Sequence, residues 1–559
     1  MKMNLKLKIL PFPLCIWAVN LMAQSTDTLK TEDIEIINVY EPVISDAFKT
    51  LETPKIVDTI PPPIIVKYDL LNRQFKTDFP IDTIKAATMK AESLAKLYKF
   101  HIKLGAGNHF ATLGDASFHN LRSRDQSYGG RIAHYGVYNP SINNSFSQFS
   151  ENNLNLYGKK FLTDHTLSCE VEHNRDIIHF FGFNSDSFPS LTKNDIRQRF
   201  AKTGLKFGLM SFFKDSSDIN YDLGLNYYNL FDSYKAKENN IFISADFNKF
   251  YNRENLILSS SFDFNSYQNM FDSTSGSNGI LKIQPGILSK GNRWQLNLGL
   301  GIFADADNTA NFFFKPVAEF RYNMVSNLMV PYAGISGGIT RNNFRSFTDE
   351  NPFLVSEVLL KNSNKSQVYA GIRGAESSEI SFNIFADISQ IKNMPLFQFD
   401  SSSPQKNKFL VIYDDVNVTG LHLDIGYEKN EKIKFLFSGE YLNYQTYYED
   451  RAWYKPRLKG NISVNYNLKE KIIVTAELFG ISEQFAKTND SLDIASGSTG
   501  VYYRKLKGIA DINLGAEYRY NSRLSAFIHL NNLGSVRYYR WLNYPTMRLN
   551  ILGGVSYSF

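Results

Sequence analysis

Met547-Arg548-Leu549-Asn550-Ile551-Leu552-Gly553-Gly554-Val555-Ser556-Tyr557-Ser558-Phe559 closes the chain. Counted back from Phe559, every second residue is apolar or glycine: Tyr557, Val555, Gly553, Ile551, Leu549 and Met547. The residues between them are small or polar, apart from Leu552. Alternate side chains of a strand point to opposite faces, so this segment has one greasy face. Ending on an aromatic carboxyl terminus, it is expected to be the last strand of an outer-membrane β-barrel, with the apolar face on lipid and the other on the lumen. Tyr557 and Phe559 are then the barrel-assembly signal, and membrane lipid and the assembly machinery are expected partners.

The other end agrees. Lys2, Lys6 and Lys8 precede an apolar core from Ile9 to Leu21, and Ala23 offers a small residue for cleavage, so 1–23 reads as a signal peptide. That core is too short to span a membrane. Cys15 follows Pro13-Leu14, whereas a lipoprotein site wants small residues there.

Composition narrows the class. The mean hydropathy of −0.29 argues against a helical membrane protein, but barrels hide from hydropathy because half their strand residues face water. The chain holds 44 Phe and 32 Tyr but only 4 Trp, and both Phe and Tyr suit strands and membrane-interface girdles. Removing three lysines with the signal lowers the formal charge from +6 to +3, and no basic run supports nucleic-acid binding. Only Cys169 would remain, which excludes an internal disulfide.

Residues 24–97 read as a periplasmic arm. Ile60-Pro61-Pro62-Pro63-Ile64-Ile65 is a stiff linker, because proline fixes φ and lacks a donor. From 98 to 559 the period-2 signal recurs. Phe100, Ile102, Leu104 and Ala106 alternate with His101, Lys103 and Gly105; Trp294, Leu296, Leu298 and Leu300 alternate with Gln295, Asn297 and Gly299. Charges fall on one face, as a lumen lining requires. Lys429–Lys432 and Leu468–Lys471 read as short turns; Asn342–Lys365, Lys392–Asn407 and Phe485–Gly508 read as long surface loops. The count points to an all-β antiparallel barrel of about 22 strands.

Catalytic and metal readings fare poorly. His165, Cys169 and His173 lie four apart on a segment that alternates like a strand, which at about 3.3 Å per residue holds them too far apart to share an ion. Gly334-Ile335-Ser336-Gly337-Gly338 spells a nucleophile elbow, but Ile339-Thr340 continues as strand where an elbow needs a helix. Gly299-Leu300-Gly301 lacks the helix and Lys-Ser pair of a phosphate cradle. No enzyme, metal or cofactor is expected. The aromatic run Tyr538-Tyr539-Arg540-Trp541-Leu542-Asn543-Tyr544 reads as an interface girdle or a packed loop, with sugar or partner docking as the functional alternative.

The carboxyl end, with His529-Leu530-Asn531-Asn532-Leu533-Gly534, Tyr538-Tyr539, Tyr544-Pro545 and the closing Tyr557-Ser558-Phe559, resembles the last two strands of TonB-dependent receptors. Val39-Tyr40-Glu41-Pro42 and the Pro linker are similar to Bacteroidota versions of these barrels. The resemblance implies transport or receptor function, with TonB or a surface lipoprotein as partner. It further implies that Ile34, Ile36, Val39, Tyr40 and Pro42 form a partner-binding segment acting by strand addition. The family closes its lumen with an amino-terminal plug, and the 24–97 arm is too short for a complete one. A second reading therefore stands beside transport: a non-transporting barrel that scaffolds an outer-membrane assembly or secretion complex.

Overall fold

The computed structural model describes residues 96–559 other than 141, 143–145, 216–217, 253, 270–274, 307–309, 326–327, 401 and 489–501. The expected signal peptide and nearly all of the arm, including Ile34, Ile36, Val39, Tyr40 and Pro42, lie outside the described residues.

Twenty-two strands form one antiparallel sheet, and it closes. Phe100–Gly107 pairs with Ala111–His119 on one side and with the last strand, Asn550–Ser558, on the other. At this seam the Phe100 N–H donates to the Phe559 carbonyl at 2.9 Å, and the Phe559 N–H returns the bond at 3.0 Å. The two rings stack with centroids 5.2 Å apart. The terminal aromatic therefore closes the ring of strands. Five pairs further along, Gly105 faces Gly554, and the Phe527 ring of strand Leu524–Asn531 lies over both. A Cβ on Gly554 would sit 2.5 Å from that ring, so the aromatic fills the space that the glycine leaves.

The alternation resolves into two walls. Phe312, Phe314 and Ile388 are about two-thirds exposed (66%, 65% and 66%) and belong to an apolar outer face of the kind a barrel turns to lipid. The opposite parity lines the lumen. One boundary differs from the sequence reading: the last strand begins at Asn550, and Met547 is buried in an inward cluster with Ala111, Val137, Phe527 and Leu552. Leu552 breaks the alternation because that cluster requires an apolar residue on the lumen side.

The two rims differ. Turns at one rim are short, and consecutive left-handed residues close two of them: Asn430 and Glu431 (φ 48° and 55°), Lys469 and Glu470 (φ 52° and 58°). An even strand count puts both ends of the barrel at this rim. The other rim carries the long connections, including 180–196, 341–362, 447–457, 482–508 and 532–549. The expected loop Lys392–Asn407 is mostly strand: Ile380–Asp400 pairs with Lys408–Lys429 nearly to its tip, across a register shift between Ile391 and Met394. A membrane crossing needs only about 9–11 residues. These strands, 21 and 22 residues long, project past the bilayer, where polar residues pair freely. The 482–508 connection carries its own ribbon, Gln484–Thr488 with Tyr502–Leu506.

Candidate functional site

The lumen wall is built of ion pairs and hydrogen bonds. Glu170 and Glu172 of strand His165–His179 meet Lys206 and Lys202 of Arg197–Ser211, each at 2.9 Å. Arg341 reaches Asp263 at 2.9 Å and donates to Asn278 Oδ1 at 2.7 Å. Farther round, His422 Nε2 lies 2.9 Å from Asp387 Oδ1 and stacks on Phe385, and the Tyr369 hydroxyl donates to Glu319 at 2.6 Å. Charged groups of both signs line this wall, several of them paired in this way, so the lumen is hydrophilic.

The long-loop rim is covered from within. One seven-residue helix, α1 (Phe344–Glu350), is capped by Asn343, whose side chain accepts from the Ser346 N–H while the Ser346 hydroxyl accepts from the Asn343 N–H: a capping box. Its start is tied to the wall by Glu238, which is fully buried. That carboxylate accepts from the N–H groups of Phe344 (2.7 Å) and Arg345 (3.2 Å), from the Tyr228 hydroxyl (2.8 Å) and from Asn265 (3.4 Å). The first N–H groups of a helix lack internal partners, and the Glu238 oxygens supply acceptors for two of them. Arg345 lies over the Tyr228 ring.

The helix spans two distant parts of the ring. Phe344 packs on Phe200 and Tyr267 from the sixth and ninth strands of the barrel; Phe347 packs on Phe397 from the fifteenth. Trp541 fills the angle between Phe397, Phe409 and Tyr454, and Tyr544 stacks on Phe353 at 3.6 Å. Gly182 approaches Tyr544 so closely that a Cβ would meet its ring at 2.6 Å. The loops thus form a hydrophobic core of their own over the mouth, with Trp453, Phe397, Phe409 and Leu396 fully buried.

A polar knot holds the same core from the side. Asp232, in the 232–236 connection, accepts from the Tyr234 and Ala236 N–H groups, from Gln198 and from the Ser356 hydroxyl. Burial pushes its carboxyl above the ordinary range, against the pull of these donors. Lys408 sits over the Phe180 and Tyr234 rings.

The residues weighed from sequence are separated. His165, Cys169 and His173 share one strand on its outward parity; His165 meets the Tyr221 hydroxyl and His173 meets Thr203. Among the described residues no group of three or more His, Cys, Asp or Glu could hold a metal ion. Ser336 is extended in mid-strand opposite Gln367, and the nearest helix begins at Phe344. The 538–544 run is a packed loop: Trp541, Leu542 and Tyr544 are buried in the mouth core. The sequence reading missed Glu238, Asp232 and α1. Asn343-Phe344-Arg345-Ser346 carried a cap signal, but a buried carboxylate in a lumen row looks like any other lumen charge.

No family model matches the sequence, and no curated protein matches it. Solved structures do. The pyoverdine outer-membrane receptor FpvA of Pseudomonas aeruginosa is 12% identical, with a TM-score of 0.60 over 83% of this chain and 78% of its own. The FrpB iron transporter of Neisseria meningitidis is 9% identical, with 0.64 over 83% and 82%. The ferric-catecholate import receptor Fiu of E. coli is 9% identical, with 0.61 over 83% and 82%. This chain has the 22-stranded barrel fold of these outer-membrane proteins. At such low identity the likeness is one of fold, and the proteins that share it here are receptors and transporters rather than enzymes.

Proposed function

We propose that this protein is a transport receptor of the TonB-dependent type, of Bacteroidota style, in which the long-loop core shuts the outer mouth and a reduced amino-terminal arm replaces a full plug. The supporting observation is the covered mouth: α1 ties strands on well-separated parts of the ring across a hydrophilic lumen. Transport gives the folded cover a use, as the element that shuts a hydrophilic path. In this reading residues 34–42 pair with TonB by strand addition, delivering the pull that opens the path.

The test is deletion of residues 34–48 in the full chain. Loss of energised solute uptake, with normal barrel insertion, is the expected result. Unimpaired uptake, together with loss of a co-purifying assembly or secretion component, would replace this reading with the scaffold.

A further inference from the structure

The outer wall carries an open groove of about 800 Å³ that crosses six neighbouring strands. It runs between two rows of outward side chains. Tyr128, Gly158, Cys169 and Phe207 are cross-strand neighbours in the upper row. Lys160, Leu167 and Leu209 occupy the lower row, which ends at Ala245. The row between them, with Ser168 and Gly208, points into the lumen and leaves only backbone as a floor. The gap exists because Gly158 and Cys169, side by side, are small where the rest of the face carries Leu, Ile and Phe. A Cβ built on Gly158 meets nothing within 4 Å.

Depth identifies the occupant. One step closer to the short-turn rim lie His165 and Tyr221, joined at 2.9 Å, with Phe213 edge-on to His165 at 5.4 Å. A polar aromatic group of this kind marks a membrane interface. The groove therefore opens just inside the hydrocarbon, in the leaflet on the short-turn side. With strands about 4.8 Å apart, six of them span roughly 24 Å, longer than the roughly 15 Å half-thickness of a bilayer core. Lys160 is exposed at the interface end, and no described ion pair engages it.

We infer that this groove binds one glycerophospholipid of the short-turn leaflet, an acyl chain lying between the two rows and the phosphate paired with Lys160. The chain replaces ordinary annular contact with contact on both flanks. The Lys160 ammonium supplies a charge-assisted partner for the phosphate.

The experiment is native mass spectrometry of the full-length protein in mild detergent, titrated with phosphatidylethanolamine. Heat-modifiable mobility first establishes that each variant is a folded barrel. The wild type is expected to retain a single tightly held lipid. Gly158→Leu, whose Cβ enters open space, should abolish that retention. Lys160→Gln should weaken it about five-fold, the ratio that roughly 1 kcal/mol for one basic residue near a lipid surface provides. Ala386→Leu, on the outward parity of Ile380–Asp400, should change nothing. Diacylglycerol, which lacks phosphate, should bind as weakly to the wild type as phosphatidylethanolamine binds to Lys160→Gln. Three results would overturn the inference: equal retention by wild type and Gly158→Leu, equal loss in Ala386→Leu, or preference for lipid A, which belongs to the opposite leaflet. Ala245→Phe narrows the groove from its far end and gives an independent second filling.

Discussion

At the scale of single residues, the mouth depends on two buried carboxylates that act differently. Glu238 holds the start of α1 by accepting from two backbone N–H groups, a hydroxyl and an amide. Truncation strands those donors in a buried site, at roughly 1–3 kcal/mol for each left unsatisfied. Glu238→Ala should therefore release α1 while the barrel stays folded, read as lost amide-exchange protection confined to 344–350. Glu238→Gln, with one acceptor oxygen left, should fall between. Asp232 makes the cover sensitive to pH. Its carboxyl is raised by burial, so the folded state binds the proton more tightly than the unfolded state does. Its contribution to stability is full below the ordinary carboxylate range and declines as pH rises through the raised value. Protection of the segment around Ser356, corrected for intrinsic exchange, should thus be greatest near pH 4 and fall toward neutrality. Asp232→Asn should flatten that slope, and a slope unchanged in the variant would assign it elsewhere.

At the scale of elements, strands and cover obey different rules, and only one of them was legible in sequence. The strands announced themselves because lipid enforces one parity: Phe100, Ile102 and Leu104, or Trp294 and Leu298, stand on the outer face as the alternation requires. Short turns were legible for the same reason, as interruptions of parity. The cover was not. Trp541 and Tyr544 use the same residue types as an interface girdle, and nothing local distinguishes an aromatic aimed at lipid from one folded over the mouth. Pairing that outlasts the membrane, as in Lys392–Asp400, also escaped because no lipid face marks it. The helix is too short to show a hydrophobic stripe, yet Phe344 and Phe347 anchor it to both sides. Large-to-small changes in such sites cost about 3–5 kcal/mol. Phe344→Ala with Phe347→Ala should detach α1 and sensitise cells to a large hydrophilic antibiotic that the wild-type envelope excludes. Resistance equal to wild type would show that another segment seals the lumen.

At the scale of the whole molecule, the decisive feature is closure, because it separates a path through the barrel from one through its wall. First and last strands meet over seven paired residues, with Gly105 opposite Gly554 and one ring, Phe527, covering both. The seam joins the first and last strands of the sheet, which no turn or loop ties together, so it is the natural place for a sideways opening. A covalent staple decides whether function uses it. His101 and Ser558 face each other across the seam with side chains 2.9 Å apart. The mutual hydrogen bonds of Phe100 and Phe559 make the next pair non-hydrogen-bonded, with an expected Cα separation near 4.5 Å, inside the range of about 4.4–6.8 Å that a disulfide spans. In a Cys169→Ser background, His101→Cys with Ser558→Cys should oxidise readily, leaving a barrel whose first and last strands cannot part. If solute travels through the lumen, as proposed here, oxidised and reduced forms will take it up at equal rates. Uptake that stops on oxidation and returns with reductant would instead place the working gate in the seam.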